Sequence, residues 1–147
     1  MNILTEARQP ELDSEPGERL SPAKWQEMAA LAWRARENSF LIGKTKVGAA
    51  VLTSDGLIFA GCNVEHRYRC HDVHAEVNAI TSMVTAGQRA LTAIIVVAQR
   101  DRFTPCGGCA DWIFQFGGPS CLVGFQNQVD GPVRVWTAHE LMPHYPE

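Results

Sequence analysis

No apolar run in this chain is long enough to span a bilayer, so a helical membrane protein is not expected. Positive charge is not in excess either: 13 Lys and Arg stand against 16 Asp and Glu, a formal net charge of -3. A protein that lives on the phosphates of long nucleic acid usually shows a strongly basic face, so no such partner is expected. The cysteines number 5, an odd count that does not suit a disulfide framework. Buried thiols, metal ligands or both in a cytoplasmic chain are the expectation. The opening stretch, MNILTEARQPELDSEPGERL, lacks the apolar centre of a secretory leader and is acidic and proline-containing instead. Residues 1–20 are expected to be a mobile tail or a partner-docking arm ahead of one domain over residues 21–147. No internal repeat divides that domain.

What is present is the balance of an ordinary globular chain, 46% hydrophobic and 20% charged, with length enough for a core. SPAKWQEMAALAWRARENS reads as a helix, with Ser21 as cap, Pro22 in the first turn, and Trp25, Met28, Ala29, Ala32 and Trp33 on one stripe. KVGAAVLTSDGLIFAGCNVE places two apolar runs around Ser54-Asp55-Gly56 and reads as a hairpin. HAEVNAITSMVTAGQ reads as a helix with Val77, Ile80, Met83 and Val84 at helical spacing and Gly87 as its stop. LTAIIVVA has the continuous β-branched character of a buried strand. PCGGCADWIFQFGG reads as a short helix ending at Gly117-Gly118, SCLVGF as a strand and TAHELMPH as a closing helix. This order implies an α/β fold, a mixed sheet with helices on both faces.

Two of these helices open on residues that bind metals. One starts at His74 and Glu76, the other at Cys106 and Cys109. Cysteines at i and i+3 on a helix point the same way and can offer two thiolates to one ion. Each helix follows a strand or hairpin, so their N-termini can converge on one edge of the sheet. The positive end of a helix dipole also favours thiolate over thiol. One histidine and two cysteines make three ligands, which leaves a zinc ion an open position for water. Zinc lowers the pKa of that water from the bulk value towards about 7 and so yields a hydroxide nucleophile. Glu76, two residues from His74, is placed to carry protons from the water to a ring nitrogen and a leaving amine. His-x-Glu alone, or Cys-x-x-Cys alone, is a weak signal. Together, with Pro105 before the first cysteine, they make the signature of the zinc deaminases.

From about Ser21 to the C-terminus the chain resembles the cytidine deaminase superfamily, and most closely the free-nucleoside cytidine deaminases. The zinc motifs carry the likeness, together with VGAAV, GLIFAGCNVE and the closing ELMP. The resemblance implies a three-layer cytidine deaminase-like fold with a mixed sheet of about five strands. It implies one Zn2+ per subunit, held by His74, Cys106 and Cys109. Asn63 and Glu65 match the family's Asn-x-Glu, which holds the ribose from the second hairpin strand; at i and i+2 they share a face. Backbone groups of Ala75 and Thr104 match the contacts to the pyrimidine carbonyl and amino group. Relatives with three cysteine ligands commonly carry arginine after the glutamate; here Val77 stands there, consistent with histidine as the third ligand. Cys62 fits the family's hairpin in a core role, while Cys70 and Cys121 have no place in the metal count.

Three stretches depart from the pattern. Thr45 and Lys46 stand in GKTKVGAA where Phe and Pro are usual, so an aromatic contact worth about 0.5–1.5 kcal/mol is missing or comes from elsewhere. Tyr68 and Tyr145, within the chain or across a subunit boundary, are the candidates. The loop HRYRCHDV replaces small, neutral residues; Arg67 and Arg69 either meet an anionic group on the substrate or are exposed and interface charges. Ala110 and Asp111 follow Cys109 where relatives commonly have Arg-Gln.

The leading expectation is hydrolytic deamination of cytidine or deoxycytidine, with hydroxide attacking C4, Glu76 shuttling protons and ammonia leaving. The alternative keeps that chemistry on a nucleotide, a modified cytidine or a cytosine nucleoside antibiotic, as in a blasticidin S deaminase. A non-catalytic zinc scaffold ranks lower, because a structural site needs no carboxylate beside the metal. The resemblance further implies a small-molecule nucleoside partner, a role in pyrimidine salvage, a cytoplasmic location and a homo-oligomer, a tetramer ahead of a dimer.

Overall fold

The computed structural model describes residues 20–101 and 103–146. The mobile tail expected over residues 1–20 lies, apart from Leu20, outside the described residues. Helix α1 (Pro22–Arg36) begins as its sequence dictates: the Ser21 hydroxyl accepts from the Lys24 amide at 3.1 Å, and Pro22 fills the first helical position. Its expected stripe, Trp25, Met28, Ala29, Ala32 and Trp33, is the buried one.

Strands β1 (Gly48–Thr53) and β2 (Ile58–Cys62) form the hairpin. Its turn needs Gly56, whose φ of 85° favours a residue without a Cβ. Helix α2 (Ala75–Thr85) stops before Gly87. Its buried stripe is Ala75, Glu76, Ala79, Ile80 and Met83, so Val77 and Val84 lie at the margin of the packed face and not at its centre. Strand β3 (Leu91–Val97), helix α3 (Gly107–Gly117) and strand β4 (Leu122–Gln126) follow, as the apolar pattern indicates. That pattern gives no strand between β4 and the closing helix, yet β5 (Arg134–Thr137) pairs antiparallel with β4 before α4 (Ala138–Leu141).

The sheet order is β2-β1-β3-β4-β5, with β3 and β4 the parallel pair. Every residue of β1 is buried, because helices cover both faces. Ala49, Val51, Ile94 and Val123 pack towards α2 and α3, whereas Ala50, Ala93, Ile95 and Val97 pack with Trp25 and Met28 of α1. The architecture is thus the expected three-layer mixed α/β fold with five strands.

Two details of this frame fix where α2 and α3 begin. Gly61 lets α2 rest directly on β2: a Cβ there would come within 2.5 Å of the Ala79 nitrogen and 2.9 Å of the Ala75 oxygen. Pairing also sets Cys62, Gly48, Val97 and Gln126 in one row across the sheet. That row holds the end of β2, the start of β1 and the ends of β3 and β4, so the segments leaving it gather at one edge.

Candidate active site

Those segments enclose a cavity of about 440 Å³, within the range of small-molecule sites. Thr45 and Val47 come from the approach to β1, Asn63 to Glu76 from the passage between β2 and the first turn of α2, and Arg100 to Cys106 from the passage between β3 and α3. His74 and Cys106 occupy the N-cap positions of α2 and α3, and neither side chain caps its helix. Their donor atoms instead face a common point with Cys109. The His74 Nδ1 lies 3.2 Å from the Cys109 Sγ and 3.5 Å from the Cys106 Sγ, and all three donor atoms fall within 4.8 Å of one another. Donors at about 2.0–2.3 Å from a tetrahedral zinc ion stand about 3.5 Å apart, so the set fits zinc in spacing and in chemistry. Two thiolates and a neutral imidazole would also balance the charge of the dication.

Glu76 sits in the first turn of α2 and is 2% exposed. Burial pushes its carboxyl above the ordinary range, against opposing pulls from its own backbone amide, Cys109 and His74. Burial also raises the Cys109 thiol, with Glu76 and Cys106 adding to the effect. A cation among these donors would act against each of those shifts.

All four residues expected at the substrate, Asn63, Glu65, Ala75 and Thr104, line the same cavity. Asn63 is buried and fixes the floor: its Oδ1 accepts from the Val47 amide at 2.9 Å and its Nδ2 donates to the Thr45 carbonyl at 2.9 Å. Glu65 accepts from the Ile42 and Gly43 amides at 2.8 and 2.6 Å. The two loop arginines separate. Arg69 lines the cavity and pairs with Glu65 and Asp72, while Arg67 is exposed and outside the lining.

Neither tyrosine named as a stand-in for the missing aromatic lines the cavity of its own chain. Tyr68 is exposed beside His66, and Tyr145 stacks on Phe114 at 4.2 Å and donates to Asp111. That bond ties the C-terminal segment to α3 through the residue that departs from the family pattern. The aromatic wall is Phe103, backed by Phe125 at 5.5 Å, with the Arg100 guanidinium 5.7 Å from its ring centre. Arg100 in turn donates to the Thr45 hydroxyl at 3.2 Å. Sequence reading missed Phe103 and Arg100; their one signal was position, in the short loop that delivers Cys106. Of the remaining cysteines, Cys62 is half-buried, Cys70 exposed and Cys121 buried, and none joins the metal-type cluster.

Residues 22–125 match the family model described as the cytidine and deoxycytidylate deaminase zinc-binding region. A cytidine deaminase of Sporosarcina psychrophila is 33% identical over 120 residues, 80% of this chain and 88% of that protein. The crystal structure of cytidine deaminase from Burkholderia pseudomallei superposes with a TM-score of 0.75 at 33% identity, covering 85% of this chain and 98% of that one. That of cytidine deaminase from Mycobacterium leprae gives 0.72 at 28% identity over 82% and 98%. All three of these relatives are named as cytidine deaminases. With a fitted zinc triad, a buried glutamate beside it and a family match over most of the described chain, this protein belongs to the zinc-binding cytidine and deoxycytidylate deaminase family.

Proposed function

We propose that this chain is a hydrolase that converts cytidine or deoxycytidine to the uridine form with release of ammonia. The observation that carries the reading is Glu76, a carboxyl buried against three clustered metal-type donors and open to a cavity. His74, Cys106 and Cys109 hold the zinc ion, which when bound supplies Lewis-acid activation of water. Glu76 takes a proton from the attacking water and passes it to the ring nitrogen. Oxygen adds at C4, a second proton passes through Glu76 to the amine, and the carbon–nitrogen bond breaks to give ammonia. The place of Glu76 in the first turn of α2, buried beside the three donors and lining the cavity, suits a group that must both accept and return protons.

Recognition uses the rest of the cavity. The backbone of Ala75 and Thr104 reads the base edge, Phe103 packs against its face, and Asn63 and Glu65 hold the sugar. Residues 21–147 act as one catalytic domain, in a cytoplasmic homo-oligomer, a tetramer ahead of a dimer, that serves pyrimidine salvage. Among the described residues no helix is long and apolar enough to cross a membrane.

The test is ammonia release by zinc-loaded protein from cytidine, deoxycytidine and CMP, with Glu76→Ala as control. Turnover of the nucleosides with a dead variant supports the reading. Preference for CMP, or activity that survives the substitution, overturns it.

A further inference from the structure

The loop between Asn63 and His74 is pinched shut at its base. Val64 and Val73 exchange backbone hydrogen bonds at 2.8 and 2.9 Å, so residues 65–72 form a closed excursion between the sugar-facing strand end and the metal-facing helix. Inside it runs a polar chain. The Arg69 Nη2 donates to the Glu65 Oε2 at 3.0 Å, and its Nε donates to the Asp72 Oδ2 at 2.8 Å. The other oxygen of Asp72 accepts from the His66 amide at 2.7 Å.

Glu65 is left with little freedom by this arrangement. A carboxylate offers about four acceptor positions. Among the described residues, three donors reach this one: the Ile42 and Gly43 amides on Oε1, and Arg69 on Oε2. A single position remains on Oε2, the oxygen that Arg69 holds. The Glu65 side chain is only 10% exposed, so that position opens into the cavity and hardly elsewhere.

We propose that Arg69 is a positioning residue for substrate specificity. It locks the Glu65 carboxylate so that one oriented acceptor meets a sugar hydroxyl, and Asp72 keeps the guanidinium in register. The proposal rests on Glu65 as the sugar reader. It assigns Arg69 a role through Glu65 and not through an anion on the substrate. The guanidinium is already forked between two carboxylates, through Nε to Asp72 and through Nη2 to Glu65.

The experiment measures kcat and KM for cytidine and for 2',3'-dideoxycytidine, which lacks the hydroxyls. The variants are Arg69→Ala, Arg69→Lys, Glu65→Gln and the double change Arg69→Ala with Glu65→Gln. A pair whose arginine is half-exposed predicts a rise of about threefold in KM for cytidine on Arg69→Ala, with kcat unchanged. Arg69→Lys, which keeps charge but loses the fork, should fall between. The rise should vanish with dideoxycytidine and in the Glu65→Gln background, since residues acting as one unit are not additive. An equal rise for both substrates, or a persistent rise without the Glu65 carboxylate, overturns the proposal while leaving Glu65 as the sugar reader. If Glu65→Gln itself leaves the preference for cytidine over dideoxycytidine unchanged, the sugar reading fails, and the proposal falls with it. Melting curves for all variants separate these outcomes from loss of fold.

Discussion

The cavity has two walls of different construction. On the metal wall, Glu76 and Cys109 are each 2% exposed and ride on the first turns of α2 and α3, which pack against the sheet and each other. Their positions follow from helix geometry and apolar packing, which admit little adjustment. On the sugar wall, Glu65, Arg69 and Asp72 belong to a loop outside the hydrophobic core clusters and are held by hydrogen bonds and ion pairs. The proton carrier and one thiol therefore sit in the rigid frame, and the Glu65 carboxylate on a connection held by polar contacts. Lesions on the first wall should appear in kcat and lesions on the second in KM.

The sharpest test of that division is Glu76→Gln. Loss of a general acid–base group should lower kcat by about 10²–10⁴-fold while zinc content, measured by elemental analysis, stays near one per chain. A comparable loss in KM alone would break the comparison. Removing zinc with a chelator should abolish turnover and lower the melting temperature, because binding energy for a metal held by the native fold adds to stability. Reloading should restore both, as followed by calorimetry. Phe103→Ala removes the aromatic wall and should raise KM for cytidine by about 2–12-fold, the equivalent of about 0.5–1.5 kcal/mol, with little change in kcat. The smallest effect is on thiol chemistry away from the cavity. Burial pushes Cys121 up to about 12, so at pH 8 an alkylating reagent should modify the exposed Cys70 first and leave Cys121 untouched until unfolding. Mass spectrometry of the labelled, zinc-loaded protein reads the order.

Much of the fold was legible in the sequence because periodicity and capping agree with tertiary packing at α1, the hairpin and β3. His74, Glu76, Cys106 and Cys109 were legible because their spacing carries the chemistry. Strand β5 was not: Arg134–Thr137 follows Gly131 and Pro132, and so short an element is a strand only because β4 offers it a partner. Phe103 and Arg100 escaped for a related reason. No local pattern marks a loop residue as facing the site; that depends on Val97 pairing opposite Gly48 and so delivering the loop beside Thr45. The arginine loop was legible only as a choice between an anion reader and a salt bridge. Geometry divided it, with Arg69 paired inside the cavity and Arg67 exposed.

The bare backbone of Gly61 has a consequence for heredity. Since α2 rests on β2 with no side chain of Gly61 between them, the depth at which Glu76 sits depends on a close approach of two backbones. Conservative changes in the surrounding apolar residues can leave that approach in place. A change at this one remote glycine cannot: Gly61→Ala would lift the helix, cost about 1–3 kcal/mol in denaturant titrations, and present as an active-site defect in a residue that never meets the substrate.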